Sequence, residues 1–460
     1  MVTVNEHIFR QYDIRGVAER DLTDEVVTLL GKAFGTVAIQ KGSSKVLVGR
    51  DNRLSSGRLR DALVKGLMYA GCDVMDIGLV VTPVLYFARV YFGIDAAVMI
   101  TGSHNPPAEN GFKIALGAGT IYGDDIQKLK ELMLTGELWN GSGSLEIIKV
   151  IPPYLNMLIE KIQLGPRKLK VAVDCGNGTA ALFAEKILKN WGCDVIPLYC
   201  ESDGSFPNHH PDPVKTANLK ELRKAVLEER AELGVAFDGD ADRIGVVDET
   251  GNIVWGDILM CLYWSEIMPK HPGAEAIIEV KCSQTLVDEV ERLGGKPFFY
   301  KTGHSLIKAK MKEVGAVFTG EMSGHIFFAD EFYGFDDAFY AAGRLLRILS
   351  NSDVPLSKML LRLPKYYSTA ETRVTCPDRN KFEVVSGLAE RFKREYPVVD
   401  VDGARVLFGD GWGLVRASNT QPVLVARCEA KTKEGVQRIC SIMKEALKEF
   451  PEVEDFEWEY

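Results

Sequence analysis

A recurring alternation of apolar and polar segments organises most of the chain. Each copy consists of an apolar strand-like run, a polar loop, a helix-like segment that ends at glycine, and a second apolar run. The copies begin at Lys45, Leu169 and Ala276. Two strands joined by a crossover helix form a βαβ unit, in which the strands are parallel and the helix covers a face of the sheet. The repetition therefore predicts three similar α/β domains.

A further apolar run follows each copy and leads into a polar loop. We predict strands at Asp95–Ile100, Glu232–Phe237 and Val314–Thr319. Ligands of open α/β sheets bind beside the carboxyl ends of the strands. The three loops that follow these strands are therefore expected to face one cleft.

The pattern changes after Pro364. A strand-like segment over Tyr366–Val374, a helix over Asn380–Arg394, several short strands and a closing helix over Glu434–Phe450 predict a smaller α+β domain. The predicted domains span residues 1–150, 151–252, 253–364 and 365–460.

Composition narrows the classes of function. The 460 residues are 46% hydrophobic and carry a formal net charge of −9, which argues against general nucleic-acid binding because that needs a basic face. Nine cysteines are scattered without a Cys-x-x-Cys pair, a usage typical of reduced thiols in the cytoplasm. The N-terminus lacks the features of a signal peptide, and no apolar run approaches the about 18 residues that a membrane span needs. We therefore expect a cytoplasmic protein with neither a nucleic-acid nor a membrane partner.

The loop Thr101-Gly-Ser-His-Asn-Pro106 is the first candidate for chemistry. Asn105-Pro106 prevents a helix from starting there, because the residue before proline avoids the helical region and proline has no N–H. The loop presents Ser103 beside His104, just past an apolar strand. Such a position suits a nucleophile. The alternative is an ordinary Ser/Asn/Pro turn.

Three carboxylates alternate with small residues at Asp238, Asp240 and Asp242. At a separation of about 4 Å, each pair of charges would repel by about 4 kcal/mol at an effective dielectric constant of 20. A hard divalent cation relieves this repulsion, so the segment predicts a Mg²⁺ site, with Ca²⁺ as the less favoured alternative. Arg243, which follows directly, can hold a phosphate close to the metal. A solvated acidic turn is disfavoured because an apolar strand precedes it.

Two further loops carry suitable groups for a phosphorylated sugar. The segment Arg416–Thr420 offers a guanidinium, hydroxyls, an amide and backbone N–H groups in one turn, which can cradle a phosphate dianion. Glu321, Ser323 and His325 offer acceptors and donors that match the vicinal hydroxyls of a sugar. Lys281 and His304 can add positive charge. An ordinary hairpin, and surface or capping roles for the single residues, are the alternatives.

Taken together, Thr101–Pro106, Asp238–Arg243, Gly320–His325 and Arg416–Thr420 resemble the four signature loops of the α-D-phosphohexomutases. They occur in that family's order and span almost the whole chain. The resemblance implies three α/β domains with mixed sheets and a C-terminal α+β domain around one central cleft. It also implies reversible transfer of a phosphoryl group between O1 and O6 of a hexose phosphate, through a phosphoserine and a hexose 1,6-bisphosphate.

The resemblance implies a role for individual residues as well. Ser103 would carry the phosphoryl group, and Mg²⁺ would be bound by Asp238, Asp240, Asp242 and the phosphorylated Ser103. Lys113 and His325 are the candidates for acid/base work, supported by Arg15 and Arg243 near the transferred group. The substrate-binding residues would be Tyr12, Lys281, His304, Glu321, Ser323, His325, Arg416, Ser418, Asn419 and Thr420. Hexose 1,6-bisphosphate would act as activator, and the protein would be a monomer or a weak homodimer.

Two positions bear on details within the family. Met322 resembles members that act on mannose and glucose phosphates, whereas Gln is usual there in phosphoglucosamine mutases. Ala241 stands where many members have glycine, and we expect no functional change from it. The rival hypotheses are a phosphoglucosamine mutase, a Mg²⁺-dependent sugar phosphatase and a Ca²⁺-stabilised sugar-binding protein. The fourth domain is expected to hinge near Pro364.

Overall fold

The computed structural model describes residues 2–418 and 421–460. The chain forms two compact units, each made of two segments. The first unit comprises Met1–Leu259 and Ser323–Leu360, and the second comprises Met260–Met322 and Leu361–Tyr460.

The N-terminal part of the first unit contains a mixed seven-stranded sheet in the order β1-β5-β4-β2-β3-β7, with β6 paired to β5. β2, β3, β4 and β7 are parallel, whereas β1 and β5 run antiparallel to their neighbours. Its elements are β1 Ile14–Val17, α1 Asp24–Gln40, β2 Lys45–Arg50, α2 Ser56–Ala70, β3 Asp73–Leu79, α3 Thr82–Phe92, β4 Ala96–Ile100, β5 Glu109–Leu116, β6 Gly119–Thr120, α4 Asp124–Thr135 and β7 Leu145–Ile147.

A second mixed sheet of the first unit has five strands in the order β12-β11-β10-β8-β9. β8, β9 and β10 are parallel, and β11 and β12 complete the sheet antiparallel. The elements are α5 Ile151–Lys161, β8 Lys170–Asp174, α6 Ala184–Asn190, β9 Asp194–Leu198, α7 Lys220–Glu228, β10 Leu233–Phe237, β11 Ile244–Asp248 and β12 Ile253–Val254. All five residues of β10 are buried, as expected for a central strand covered on both faces.

The next segment supplies parallel strands to the second unit and returns to the first. β13, β14 and β15 are parallel, with β13 in the middle. The elements are α8 Gly256–Ile267, β13 Glu275–Glu279, α9 Gln284–Arg292, β14 Lys296–Tyr300, α10 His304–Val314, β15 Phe318–Gly320, β16 Ile326–Phe328, α11 Ala338–Ser350 and α12 Leu356–Leu360.

The C-terminal part of the second unit is an antiparallel sheet in the order β17-β22-β21-β20-β19, with β18 also paired to β22. Its elements are β17 Tyr367–Ser368, β18 Thr372–Thr375, α13 Lys381–Phe392, β19 Val398–Val399, β20 Ala404–Leu407, β21 Gly411–Ala417, β22 Val423–Ala430 and α14 Lys433–Leu447. The buried Arg405 side chain lies over Trp412 and donates hydrogen bonds to the carbonyls of Val280 and Cys282, which ties this sheet to the loop after β13.

The predicted fold class is confirmed: α/β structure with mixed sheets is followed by an α+β part. The single strand predicted at Val314–Thr319 is wrong at its start, because α10 continues through Val314 and is capped by Gly315 in the left-handed conformation, φ 67°. The single strand predicted at Tyr366–Val374 is also wrong, since two short strands form instead. The domain boundaries and the common cleft stay predictions. Within the described ranges, no helix combines the length and apolar character that crossing a membrane requires.

Close packing of α1 against α2 depends on two glycines. A Cβ atom at Gly66 would lie 2.1 Å from the carbonyl oxygen of Thr28 and 3.0 Å from the Cα atom of Gly31. Both distances are far shorter than van der Waals contact, so only glycine allows the two backbones to approach this closely. The other glycine of α2 near its start, Gly57, has nothing within 4 Å of such an atom.

We predict opposite effects of the same substitution at these two sites. Gly66→Ala should lower the free energy of unfolding by about 1–3 kcal/mol, because the helices must move apart. Gly57→Ala should leave it unchanged or raise it by up to about 1 kcal/mol through better helix propensity. Urea denaturation of both variants measures the difference, and equal stabilities would contradict the packing described.

Candidate active site

Ser103 is held in an uncommon conformation at the end of the buried strand β4. Its φ is 48°, in the left-handed region that costs a non-glycine residue about 1–2 kcal/mol. The backbone N–H of Ser103 donates to Thr101 Oγ1 at 2.8 Å. Its hydroxyl donates to Asp238 Oδ2 at 2.7 Å. The structure thus brings the predicted nucleophile into contact with the predicted metal loop.

The Ser103 loop is fixed by Arg53, a residue that the sequence analysis missed. This fully buried side chain donates to the carbonyl oxygens of Ser103, Asn105, Pro106 and Glu109 at 2.6–2.9 Å. Asp51 lies 3.3 Å from its guanidinium and balances the charge. A Cβ atom at Gly102 would come within 2.6 Å of Arg53, which explains the glycine in the motif.

The three aspartates form one buried cluster between β10 and β11. Each offers an oxygen within 4.8 Å of the oxygens of the others. Asp238 Oδ1 accepts hydrogen bonds from the backbone N–H groups of Asp242 and Arg243, both at 3.1 Å. The turn requires φ 55° at Ala241, a conformation that glycine adopts at lower cost. The chain therefore tolerates some local strain to hold the cluster.

The donor set of this cluster fits a hard divalent cation. Asp240 Oδ1 and Asp242 Oδ1 are buried and have no hydrogen-bond partner among the described residues, so both oxygens remain available to a metal. Burial and the nearby carboxylates of Asp242 and Asp240 raise the pKa of Asp238. Three buried carboxylate oxygens are ligands of the kind that Mg²⁺ prefers. A bound cation would also remove the repulsion that raises this pKa.

Lys113, on β5, supplies positive charge to the same cluster. Its Nζ lies 2.6 Å from Asp240 Oδ2 and also contacts Asp242. Burial by itself would lower the pKa of Lys113, but Asp240 and Asp242 outweigh it and raise the pKa well above its usual value. Lys113 is therefore an ammonium at neutral pH, which can donate a hydrogen bond or stabilise negative charge but cannot accept a proton.

His325 is buried beside the cluster, and each of its two ring nitrogens faces a polar side chain that fixes the orientation of the ring. Arg243 Nε donates to His325 Nε2 at 2.9 Å, so this nitrogen is the acceptor and the ring proton is assigned to Nδ1. Nδ1 faces Asp336 Oδ2 at 3.0 Å. A carboxylate behind an imidazole fixes the tautomer and stabilises the protonated ring. In this geometry Arg243 occupies the acceptor nitrogen, so His325 can exchange a proton with a ligand at Nε2 only after Arg243 releases it.

Other predicted residues near Ser103 have different partners. Arg15 donates to Asp13 Oδ2 at 2.6 Å and to Asn105 Oδ1 at 3.0 Å, which places its guanidinium next to the Ser103 loop. His104 pairs with Asp212 at 3.5 Å rather than with the Ser103 hydroxyl. Burial is the main reason why the pKa of His104 falls to about 4, so the ring is neutral at physiological pH. Tyr12 is partly buried in the bend before β1.

The second unit contains a separate polar cluster built around the buried Glu279. This carboxylate accepts hydrogen bonds from Thr302 Oγ1 at 2.5 Å, from Lys281 N at 3.1 Å and from Met322 N at 3.5 Å. It therefore joins the loops after β13, β14 and β15. Glu321 Oε1 accepts a hydrogen bond from Gly303 N at 2.7 Å, directly before His304 at the start of α10.

Basic residues of the second unit are held by acidic partners from the C-terminal part. Lys281 Nζ lies 3.0 Å from Glu371 Oε2. Arg416 Nε donates to Asp402 Oδ2 at 3.0 Å, and the same oxygen accepts from Thr302 N at 2.9 Å. Asp402 thus links the Arg416 loop to the loop before His304.

Some predicted residues do not fall in these two clusters. Ser418 closes the turn between β21 and β22, where its backbone N–H donates to Val423 O and its hydroxyl accepts from Gln421 N. Asn419 and Thr420 lie outside the described residues. Ser323 is partly buried and belongs to the first unit, while Glu321 belongs to the second.

The sequence analysis missed residues that support the predicted ones. Thr82, at the start of α3, donates from Oγ1 to Asp240 Oδ2 at 2.5 Å, and its N–H donates to Asp240 O. Asp336, Glu371 and Asp402 were missed in the same way. Their only sequence signal is a polar residue next to an apolar run, which is too common to single them out.

Comparison with known proteins defines the family. Residues 6–138, 152–251 and 255–367 match the models for phosphoglucomutase/phosphomannomutase alpha/beta/alpha domains I, II and III, and residues 371–446 match the model for the C-terminal domain. The chain therefore belongs to the phosphoglucomutase/phosphomannomutase family, and the resemblance drawn from the four loops is confirmed.

Individual relatives match along almost their whole length. The chain is 46% identical over 447 residues to the phosphomannomutase/phosphoglucomutase of Pseudomonas aeruginosa. This match covers 97% of the chain and 96% of the relative. It is 42% identical over 456 residues to a phosphoglucomutase of Neisseria meningitidis, covering 98% and 99%. A crystal structure of a phosphoglucomutase/phosphomannomutase family protein from Burkholderia thailandensis has a TM-score of 0.91 and 42% identity, and covers 97% of this chain and 98% of that one.

We predict that Mg²⁺ stabilises the protein through the aspartate cluster. At a concentration about 100 times its dissociation constant, Mg²⁺ should add about 2.7 kcal/mol to the free energy of unfolding. The effect should become smaller as the pH falls, because the pKa of Asp238 is raised and its proton then competes with the metal.

Thermal unfolding with and without MgCl₂ measures this effect. Asp240→Asn should abolish most of the stabilisation, whereas Asp203→Asn, at an exposed turn, serves as the matched control and should retain it. Equal stabilisation of the Asp240→Asn variant would place the metal elsewhere.

We also predict that replacing Arg53 by lysine makes the folded protein less stable. Arg53→Lys should lower the free energy of unfolding by about 2–3 kcal/mol, because an ammonium cannot satisfy all the carbonyl oxygens that the guanidinium reaches. Arg20→Lys, at an exposed arginine that pairs with the buried Asp21, should change it by less than about 1 kcal/mol, because an ammonium can still pair with a single carboxylate. Urea denaturation distinguishes the two, and a neutral Arg53→Lys variant would contradict the role given to this side chain.

Proposed function

We propose that this protein catalyses reversible phosphoryl transfer between O1 and O6 of a hexose phosphate, with mannose and glucose phosphates as substrates. Ser103 carries the phosphoryl group, and a hexose 1,6-bisphosphate is the intermediate. The observation that carries the proposal is the contact of the Ser103 hydroxyl with Asp238 at 2.7 Å, within a cluster of three buried carboxylates, in a chain of this family.

The charges around Ser103 support phosphoryl transfer. The transferred group carries negative charge that must be neutralised while donor and acceptor oxygens are held in line. Asp238, Asp240 and Asp242 would hold Mg²⁺, which would neutralise phosphate oxygens when bound. Lys113 is fixed as an ammonium by Asp240 and Asp242 and donates to an oxygen of the transferred group. Arg15 lies beside Asn105 and adds a second cationic donor.

Proton transfer is assigned to His325. A sugar hydroxyl that attacks phosphoserine must lose its proton, and the same group must regain one when the direction is reversed. His325 takes this proton at Nε2 once Arg243, which donates to that nitrogen at 2.9 Å, turns to the phosphate, while Nδ1 stays opposite Asp336. Asp336 therefore stabilises the imidazolium that forms after the proton is taken. Lys113 serves as the charge-stabilising partner rather than as a base.

The remaining residues are proposed to hold the substrate. Glu321 and Ser323 read the sugar hydroxyls, and Arg416, Ser418, Asn419 and Thr420 hold the phosphate that does not react. Glu279 and Asp402 support this assignment, because their hydrogen bonds keep the loops that carry these groups in fixed positions. Tyr12, Lys281 and His304 complete the proposed substrate-binding set.

The proposal includes partners and conditions. Mg²⁺ is the metal, and a trace of hexose 1,6-bisphosphate is needed to phosphorylate Ser103 before the first turnover. We propose a monomer or a weak homodimer that works in the cytoplasm.

Phosphorus NMR tests the reaction and the sugar directly. The enzyme is given Mg²⁺, a trace of hexose 1,6-bisphosphate, and mannose, glucose or glucosamine 1-phosphate in turn. Conversion of the mannose and glucose compounds to 6-phosphates is expected. Conversion of the glucosamine compound alone would overturn the sugar assigned from Met322, and inorganic phosphate as the only product would replace the mutase with a phosphatase.

We predict that Ser103→Ala loses turnover by several orders of magnitude while the protein stays folded, because the group that carries the phosphoryl is gone. Ser441→Ala is the matched control, since the hydroxyl of this exposed residue donates to Gln437 O one turn earlier in the same helix. Coupled assay of 6-phosphate formation and circular dichroism give the two readouts. Normal rates in the Ser103→Ala variant would exclude a phosphoserine at this position.

A further inference from the structure

A pair of cysteines lies outside the carboxylate cluster in the first unit. Cys175 follows β8 and Cys200 follows β9, and their Sγ atoms are 3.4 Å apart. Cys175 is buried, whereas Cys200 is partly exposed. The pair therefore combines a thiol of a partly exposed residue with a buried thiol in contact with it.

Backbone hydrogen bonds hold the segment that carries Cys175 beside the segment that carries Cys200. Cys175 N donates to Leu198 O at 3.1 Å, and Asn177 N donates to Tyr199 O at 3.0 Å. Tyr199 has φ 51°, an uncommon conformation for a bulky residue that persists only where the surroundings hold it. The turn at Tyr199 thus presents Cys200 to Cys175, and a bond between them needs little rearrangement of the chain.

We propose that Cys175 and Cys200 form a reversible disulfide in the presence of a hydroperoxide, and that this crosslink slows the enzyme. The Cys200 thiolate attacks the peroxide, the O–O bond breaks and a sulfenic acid forms. The sulfur of Cys175 then attacks that of Cys200, the S–O bond breaks, and water leaves with the thiol proton. Two thiols lose two electrons and two protons, and hydrogen peroxide is reduced to two molecules of water.

The order of attack follows from the environments of the two sulfurs. The hydrogen bond to Cys200 and burial both raise the pKa of the Cys175 thiol, so Cys175 stays protonated at neutral pH. Cys200 is the more accessible of the two. Cys200 is therefore the residue oxidised first, and Cys175 is the resolving thiol.

A chain of short contacts connects the pair to the metal loop. Thr179 N, four residues after Cys175, donates to Gly239 O at 3.0 Å. A Cβ atom at Gly178 would lie 3.1 Å from Gly239 Cα, and one at Gly239 would lie 2.3 Å from Ser103 O. Because this segment is packed without spare space, even the small displacement that closes the sulfurs from 3.4 Å to a bond of about 2.05 Å would be passed on to the metal loop. The crosslink is independent of the proposed function, whereas the slower rate rests on it.

Peptide mass spectrometry tests the crosslink. The reduced protein is treated with hydrogen peroxide, its remaining thiols are alkylated, and it is digested with trypsin. Cys193 lies in the same tryptic peptide as Cys200. The digest is therefore repeated on the Cys193→Ser variant, in which only Cys200 of that peptide can be joined to Cys175. The expected product joins the peptides of Cys175 and Cys200 and disappears with dithiothreitol. Alkylated Cys175 beside sulfinic acid at Cys200, or two intact thiols, would overturn the site.

Activity measurements test the consequence. Peroxide should reduce turnover of the wild type and of Cys193→Ser several-fold, and dithiothreitol should restore it. Cys200→Ser should have normal basal activity and resist peroxide. Loss of activity in peroxide-treated Cys200→Ser, or full activity of the crosslinked protein, would overturn the coupling to the metal loop. If no sample has mutase activity, the proposed function is wrong, and the crosslink is then judged by the peptide mapping alone.

Discussion

Mutual repulsion of three buried carboxylates is the constraint on which the first unit depends. Asp238, Asp240 and Asp242 approach within 4.8 Å of one another, and each unrelieved pair would cost several kcal/mol in such surroundings. Protein groups partly offset this repulsion: the ammonium of Lys113, the hydroxyl of Thr82 and backbone N–H groups of the turn all donate hydrogen bonds to the carboxylates. Two carboxylate oxygens, Asp240 Oδ1 and Asp242 Oδ1, still have no hydrogen-bond partner in the part of the chain that the structure describes. A cluster that is only partly compensated by protein groups is one that a metal and its phosphate can complete.

Holding such a cluster next to a nucleophile requires a rigid backbone, and two residues of the site adopt an uncommon conformation. Ser103 and Ala241 both have left-handed φ values, and Gly239 contacts the carbonyl of Ser103 too closely for a side chain. Arg53 compensates by satisfying several carbonyls of the Ser103 loop. In the second unit a buried charged side chain also fixes loops, but it is an anion that accepts: the carboxylate of Glu279 accepts hydrogen bonds from three loops.

The sequence predicted the parts whose signals are local. Gly71 ends α2, in line with the glycine predicted at the end of each helix-like segment, and the four loops identified the family because their residues are contiguous. Supporting residues were missed because they come from distant segments: Thr82 and Asp240 are 158 positions apart. The start of β15 was misplaced because Val-Gly-Ala-Val-Phe resembles a strand, although its first residues complete a helix and its cap. The roles of the site residues stay predictions.

The central claim is that Ser103 passes a phosphoryl group to the sugar. Its most direct test is single-turnover transfer from enzyme that has been labelled with a radioactive hexose 1,6-bisphosphate and then freed of it. Peptide mapping should find the label on Ser103, and addition of unlabelled glucose 1-phosphate with Mg²⁺ should move it to the sugar phosphates. Label that never enters the protein, or that leaves it only as inorganic phosphate, would contradict the account.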